Sequence, residues 1–215
     1  MKFQNIIFDF DGTLVDSAPA ILVAFSRVFE QFDLEPAIPL DASLIGPPLD
    51  DILIKLSGSA EPEVVGQLAT AFKIVYDTTT CLETLAFDGV DAMLKKLKLA
   101  GLRLFVATNK RLLPTEKIIS HIGWDKGIFE AIYAIDSFRP VKPNKSLLIA
   151  QLMNDFGLLT TDTVYVGDRY EDGLAAAENN IHFFCAAWGY DEVTGKLQNY
   201  QLAPSTLQLI SFLSI

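Results

Sequence analysis

Two rhythms of apolar and polar positions run along this chain. Residues 3–8 form a short, bulky, apolar run that stops at acidic residues, the signature of a buried strand. Residues 103–107, 131–135, 163–166 and 182–186 read the same way. Between them the apolar period becomes that of a helix. In 90–100, Val90, Met93, Leu94 and Leu97 share one face, lysines occupy the other, and Gly101 follows as a stop. Residues 115–123, 144–156 and 170–180 repeat that pattern. Strands alternating with helices predict an α/β fold, a mostly parallel sheet flanked by helices on both faces.

One stretch departs from the alternation. Residues 16–83 show no strand pattern; 18–32, 50–57 and 61–76 all read as helices, jointed at Pro36, Pro39 and Gly46-Pro47-Pro48. The expectation is an all-helical subdomain over 16–83, inserted after the first strand, with 1–15 and 84–215 forming the α/β core.

Composition narrows the function classes. The chain has 215 residues, half of them apolar, enough for one domain with an insertion. Its 17 basic and 27 acidic residues give a net charge of −10, which argues against nucleic-acid polymers or anionic membranes as partners. Two cysteines, Cys81 and Cys185, and two histidines, His121 and His182, are too few for a closed zinc site. They read as structural residues and as thiols of a reducing compartment. No apolar run approaches the roughly 20 residues of a membrane helix. The first apolar stretch is too short for a secretory signal and ends in Asp9. A soluble, cytoplasmic protein is expected.

Candidate chemistry gathers where the predicted strands end, which is where open α/β sheets bind ligands. The first signal is Asp9-Phe10-Asp11-Gly12-Thr13. Residues two apart in a strand point the same way, so Asp9 and Asp11 face one site. Two close carboxylates call for a cation or a shared proton, and Mg²⁺, hard and oxygen-loving, suits them. Gly12 lets the chain turn away. The second signal, Thr108-Asn109-Lys110, offers a hydroxyl and following N–H groups to a phosphate. The third is Lys142-Pro143, a lysine with a rigid neighbour before a helix; the fourth, Gly167-Asp168 with Asp172, adds two carboxylates at a helix start. Taken singly, each also fits a bland role: a solvated turn, a cap, a surface lysine, a helix N-cap. Their order and shared placement is what accident does not explain.

In that order, Asp-x-Asp-Gly-Thr, Thr, Lys-Pro and Gly-Asp-x-x-x-Asp, the chain resembles the haloacid dehalogenase-like hydrolase superfamily over nearly its whole length. It looks most similar to the phosphoglycolate phosphatase-like branch, which Ile45-Gly46-Pro47-Pro48-Leu49 and Trp188-Gly189-Tyr190 support. The resemblance implies a Rossmann-like core with a helical cap of the first type. It implies a Mg²⁺-dependent phosphatase acting on a small phosphorylated metabolite. Asp9 would be the nucleophile and Asp11 the acid and base. Mg²⁺ would rest on the Asp9 and Asp168 carboxylates and the Asp11 carbonyl, with Asp172 behind. Thr108, the Asn109 amide and Lys142 would hold phosphoryl oxygens, with Gly12, Thr13 and Lys110 beside the substrate.

Arg169 departs from the pattern: Ser or Thr usually follows Gly-Asp in that motif. The expected consequence is altered bonding around the metal carboxylates. Thr13, where related mutases carry a bulkier apolar residue, leans toward a hydrolase over a phosphomutase. A phosphorylatable receiver-like module or a binding-only relative fits less well. Phe25, Phe29 and Phe32 read as cap core rather than pocket. Residues 16–83 hold 11 acidic and 3 basic residues, most of the net charge. A cap so charged would disfavour a second anion on the substrate, phosphoglycolate included, and favour nucleosides or sugars as leaving groups. Monomer and homodimer both remain open.

Overall fold

The structure, a computed structural model, describes residues 3–124, 127–141, 144–190 and 200–213. The chain begins with strand β1 (Asn5–Phe8) and β2 (Val15–Asp16), then passes through helices α1 (Ala18–Gln31), α2 (Leu49–Ser57) and α3 (Pro62–Thr78). It returns through β3 (Leu85–Ala86) and α4 (Val90–Leu99). Then β4 (Arg103–Thr108), α5 (Leu112–Ile122), β5 (Ala131–Ala134), α6 (Lys145–Phe156), β6 (Thr163–Gly167), α7 (Tyr170–Glu178) and β7 (His182–Ala186) alternate. Strand β8 (Tyr200–Ala203) and α8 (Thr206–Phe212) complete the described chain.

Six strands form one parallel sheet in the order β5-β4-β1-β6-β7-β8. The α/β expectation holds. Strand alternation divides the core. Ile6, Phe8, Leu104, Val106, Val164 and Val166 join the apolar cluster on one face; Ile7, Phe105, Ala107 and Tyr165 join the other. Tyr165 is fully buried, and its hydroxyl donates to the Ala107 carbonyl at 2.9 Å, which satisfies its polar end. The first cluster continues through Leu14, Val15 and Ala18 into Phe25, Leu53 and Phe72 of the helical stretch.

The structure differs from the sequence reading in four places. Strand β8 and helix α8 were not anticipated: Tyr-Gln-Leu-Ala is short and only its last residue is buried, so it shows no clean period. Helix α5 starts at Leu112 rather than 115, because Pro114 sits in the first turn, where its missing N–H has no intrahelical partner to lose. Strand β1 stops at Phe8, so Asp9 and Asp11 lie beyond it. A two-residue antiparallel ribbon, Val15 against Ala86 and Asp16 against Leu85, joins the chain where it enters and leaves the helical stretch. Two residues are too few for any period to reveal.

Candidate active site

Register brings the chemistry together. Phe8 pairs with Val106 on one side and Val166 on the other, so the residues that follow these strands emerge side by side. The Asp9 N–H donates to the Val166 carbonyl at 2.8 Å, which fixes the carboxylate at the sheet's end. The carboxylates of Asp9, Asp168 and Asp172 lie within 4.8 Å of one another, all buried. Asp172 sits in the first turn of α7 and accepts from the Arg169 N–H at 3.1 Å.

Among the described residues, one cation faces this cluster. Lys145 opens α6, behind an Asn144 cap that accepts from the Leu147 N–H at 3.0 Å. Its ammonium donates to Asp9 Oδ2 at 2.7 Å and to Asp172 Oδ1 at 2.5 Å. Burial works against that charge, but Asp172 and Asp9 outweigh it and hold the ammonium above its ordinary value. Burial pushes Asp9 up to about 6, with Lys145 opposing and Asp172 assisting. Burial, then Asp172 and Asp9, push Asp168 up to about 7. Three buried carboxylates share one ammonium, and Asp9 Oδ1 has no hydrogen-bond partner among the described residues. Oxygen donors, excess negative charge and an unpartnered oxygen together fit a hard divalent cation.

Asp168 is held from three sides. Thr13 Oγ1 donates to its Oδ1 at 3.2 Å, and the Tyr190 N–H donates to its Oδ2 at 2.9 Å. Gly12, at φ +80°, approaches so closely that a Cβ would lie 2.3 Å from Asp168 Oδ2; one on Gly189 would lie 2.2 Å from Asp168 Cβ. Trp188 Nε1 donates to the Thr13 carbonyl at 2.9 Å. These contacts place Gly12 and Thr13, expected beside the substrate, against Asp168. They back the Asp168 carboxylate and do not line the cavity where substrate would sit.

Asp11 faces that cavity with Asp9 but keeps other company. Lys110 Nζ donates to its two oxygens at 3.0 and 3.2 Å, and to the Tyr76 hydroxyl of α3 at 2.7 Å. Burial opposes the Lys110 charge, and Asp11 and Tyr76 restore it above the ordinary lysine value. The same ammonium lies 4.7 Å from the Tyr76 ring centre. Thr108 Oγ1 accepts from the Lys110 N–H at 3.1 Å, and Asn109 Nδ2 donates to the Gly46 carbonyl at 3.2 Å. Lys142 lies outside the described residues. Sequence reasoning passed over Lys145. The signal available was its place at the first position of a helix, where the dipole disfavours a cation unless an anion waits there. It also passed over Tyr76, which shares a helix face with Phe72.

Above this floor opens a cavity of about 460 Å³. Its far wall comes from the helical stretch and is mostly apolar, with Ile21, Phe25, Leu44, Ile52 and Phe72, the charged Asp50 and Lys73, and Tyr76 at the boundary. Phe25 stacks on Phe72 with ring centres 4.5 Å apart, and Phe72 on Tyr76 at 5.4 Å. Phe25 is therefore both core and cavity wall, where the sequence reading gave it only the first role. Of the acidic residues in 16–83, Asp50 alone lines the cavity among the described residues, so the charge of this stretch does not face the site. His182 stacks against Phe3, and both cysteines are buried, consistent with structural roles.

Comparison with known proteins agrees with this geometry. The haloacid dehalogenase-like hydrolase family matches residues 6–186. A phosphoglycolate phosphatase from Colwellia psychrerythraea is 32% identical over 205 residues, covering 89% of this chain and 88% of that protein. A 5′-nucleotidase from Pseudomonas aeruginosa is 29% identical, covering 88% and 85%. The tyrosine-protein kinase PtkA of Mycobacterium tuberculosis is 33% identical over 87% of this chain, which spans 63% of that protein's length. The solved PtkA structure superposes with a TM-score of 0.84 at 27% identity, covering 100% of this chain and 99% of that one. Among the described residues, no helix is long and apolar enough to cross a membrane. The match across most of the chain, on a sheet whose strand ends converge on these aspartates, makes this protein a member of the haloacid dehalogenase-like hydrolase family.

Proposed function

We propose that this protein is a Mg²⁺-dependent phosphatase that hydrolyses phosphate monoesters of small metabolites through an aspartyl phosphate on Asp9. The observation that carries the reading is the Asp9 carboxylate at the end of β1, at the floor of a cavity, with Lys145 on one oxygen and no hydrogen-bond partner among the described residues on the other. Asp9 attacks phosphorus as the bond to the leaving oxygen breaks, and Asp11 supplies the proton that oxygen needs. A water then attacks the phosphorus of the aspartyl phosphate, Asp11 takes its proton, and inorganic phosphate and free Asp9 result. Asp9, Asp168 and the Asp11 carbonyl would hold Mg²⁺, with Asp172 supporting. The ion would neutralise charge on the transferring phosphoryl group. Thr108, the Asn109 amide and Lys145 hold its oxygens, Lys145 taking the part that the motif spacing suggested for Lys142.

Residues 16–83 act as the cap that excludes water and selects the leaving group, with the β2–β3 ribbon as the hinge to the core over 1–15 and 84–215. The selected group is uncharged. The cap wall is mostly apolar, and two of the cavity's cations are already engaged, Lys110 by Asp11 and Tyr76 and Arg111 by both oxygens of Asp77 at 2.8 and 2.6 Å, while Lys73 and Arg139, both exposed, also line it. The earlier inference from cap acidity keeps its direction but changes its reason, from repulsion to a mostly apolar surface. A cytoplasmic small-molecule enzyme, monomeric or dimeric, is consistent with this reading.

Phosphate release from a panel of phosphorylated metabolites tests it. Nucleoside and sugar monophosphates should turn over in Mg²⁺, with phosphoglycolate ranking low. The Asp9→Asn variant should fold and lose at least about 10³-fold in turnover. Unchanged turnover in that variant would defeat the mechanism, and phosphoglycolate at the head of the panel would defeat the substrate reading.

A further inference from the structure

Arg169 stands where the motif usually carries a small hydroxyl residue, and the structure gives its side chain a destination. Its main chain belongs to the carboxylate cluster, since its N–H donates to Asp172 Oδ2. The sequence reading expects altered bonding around those carboxylates; the side chain itself runs elsewhere. It crosses to the loop before α2, where Nη1 donates to the Ile45 carbonyl at 2.7 Å. Along the way Nε approaches Glu171 at 3.4 Å.

The loop is shaped to receive it. Gly46 has φ +114°, a conformation that side chains rarely adopt, and a Cβ there would lie 2.5 Å from Arg169 Cδ and 2.9 Å from Nε. The arginine occupies the space that the glycine leaves open. The next carbonyl, that of Gly46, accepts from Asn109 Nδ2. Consecutive carbonyls of one loop are therefore held by two different strand ends, β6 through Arg169 and β4 through Asn109. Pro47 and Pro48 follow, with no N–H groups of their own to anchor the loop and with restricted φ. Ile45, Gly46, Pro47 and Leu49 line the cavity. A serine or threonine at 169 could not reach across.

We propose that Arg169 is a positioning residue that fastens the 44–49 loop to the carboxylate end of the sheet and so fixes the cavity's size for the leaving group. This assignment rests on the phosphatase reading for its kinetic consequence but not for its structural one, and the test separates the two. In Arg169→Ser, amide hydrogen exchange in 44–52 should quicken by about tenfold, the size expected for losing one charge-assisted hydrogen bond, while β1 and β6 keep their rates. Equal exchange in the loop, or equal acceleration everywhere, would overturn the proposal even if no ester were ever hydrolysed.

The second readout compares adenosine 5′-monophosphate, whose leaving group reaches the loop, with acetyl phosphate, whose leaving group is too short. The ratio of their kcat/KM values should fall about tenfold in Arg169→Ser. Equal losses for both esters would place the arginine's action at the carboxylates and overturn the proposal. Gly46→Ala supplies the coupling test. It should harm the ratio more in the wild-type background, where the new methyl meets Arg169, than in Arg169→Ser; additive effects would show the contact to be idle.

Discussion

The two walls of this cavity are built by opposite means. At the sheet end, every charged side chain has a directional partner and a short tether. Asp9 follows β1, Asp168 follows β6, Asp172 sits in the first turn of α7 and Lys145 in that of α6. Glycines at 12 and 189 let the backbone press against Asp168 so closely that no other residue would fit. On the helical side, Ile21, Phe25, Leu44, Ile52 and Phe72 make contact by packing alone. Bond-making chemistry needs atoms placed to a fraction of an ångström, which strand register and hydrogen bonds supply. Selection of a leaving group needs shape and dryness, which packed side chains supply. The directional contacts that cross between the walls, among them Arg169 to Ile45, Asn109 to Gly46, Lys110 to Tyr76 and Arg111 to Asp77, are where one half can govern the other.

The sharpest way to break this division is at Lys145. If the ammonium on Asp9 serves both phosphoryl transfer and the carboxylate cluster, Lys145→Ala should lower kcat by about 10²–10³-fold. It should also cost about 3–5 kcal/mol of stability without added divalent ions, because three buried carboxylates lose their only protein cation among the described residues. Lys142→Ala should cost less than about tenfold in kcat, as for a lysine acting outside the cluster. Steady-state kinetics and thermal melts on the two variants decide it. The reverse ranking would return the catalytic lysine to the position that the motif spacing suggests.

That pair of lysines shows what was readable in advance. The carboxylates were legible because Asp9 and Asp168 each follow an apolar run that reads as a buried strand, Asp172 comes one turn into the next helix, and strand ends on one sheet converge. Periodicity carried the sheet, the helical stretch and Asp9, Asp168 and Asp172. It did not separate roles for Gly12 and Thr13, since a residue behind a carboxylate and one beside a substrate share the same local sequence. It gave no signal for Lys145, which stands three residues after Lys142 and offers the same chemistry. A sum of charge over 16–83 does not say which faces turn inward; among the described residues Asp50 and Lys73 line the cavity. The Arg169 contact joins residues 124 apart and has no local trace at all.

A smaller effect sharpens the sheet side. Burial raises Asp9 from 3.8 to about 6 and Asp168 to about 7. A carboxyl raised on folding binds its proton more tightly in the folded chain. Its stabilisation is therefore complete below the ordinary carboxylate value and is lost as pH rises through 6 and 7. The metal-free protein should weaken between about pH 4 and pH 7, while bound Mg²⁺ offsets the same repulsion. EDTA-treated protein should gain about 5–10 °C in Tm when Mg²⁺ reaches about 100 times its dissociation constant at pH 8, and clearly less at pH 5. A larger gain at pH 5 would mean that these carboxylates are not where the ion binds.

The smallest expected effect tests the border itself. Tyr76→Phe removes only the hydroxyl that accepts from Lys110 at 2.7 Å. The ammonium keeps Asp11 on two oxygens and the aromatic face at 4.7 Å, so its charge stays compensated. The missing bond is worth about 1 kcal/mol, which corresponds to less than tenfold in kcat/KM. If Tyr76 belongs with the selecting wall, the loss should appear mainly in KM for esters with large leaving groups, with kcat nearly retained. A fall of about 100-fold in kcat for every ester would instead put the hydroxyl among the groups that set Asp11 in place. The border between chemistry and selection would then run through α3 rather than along the sheet's edge.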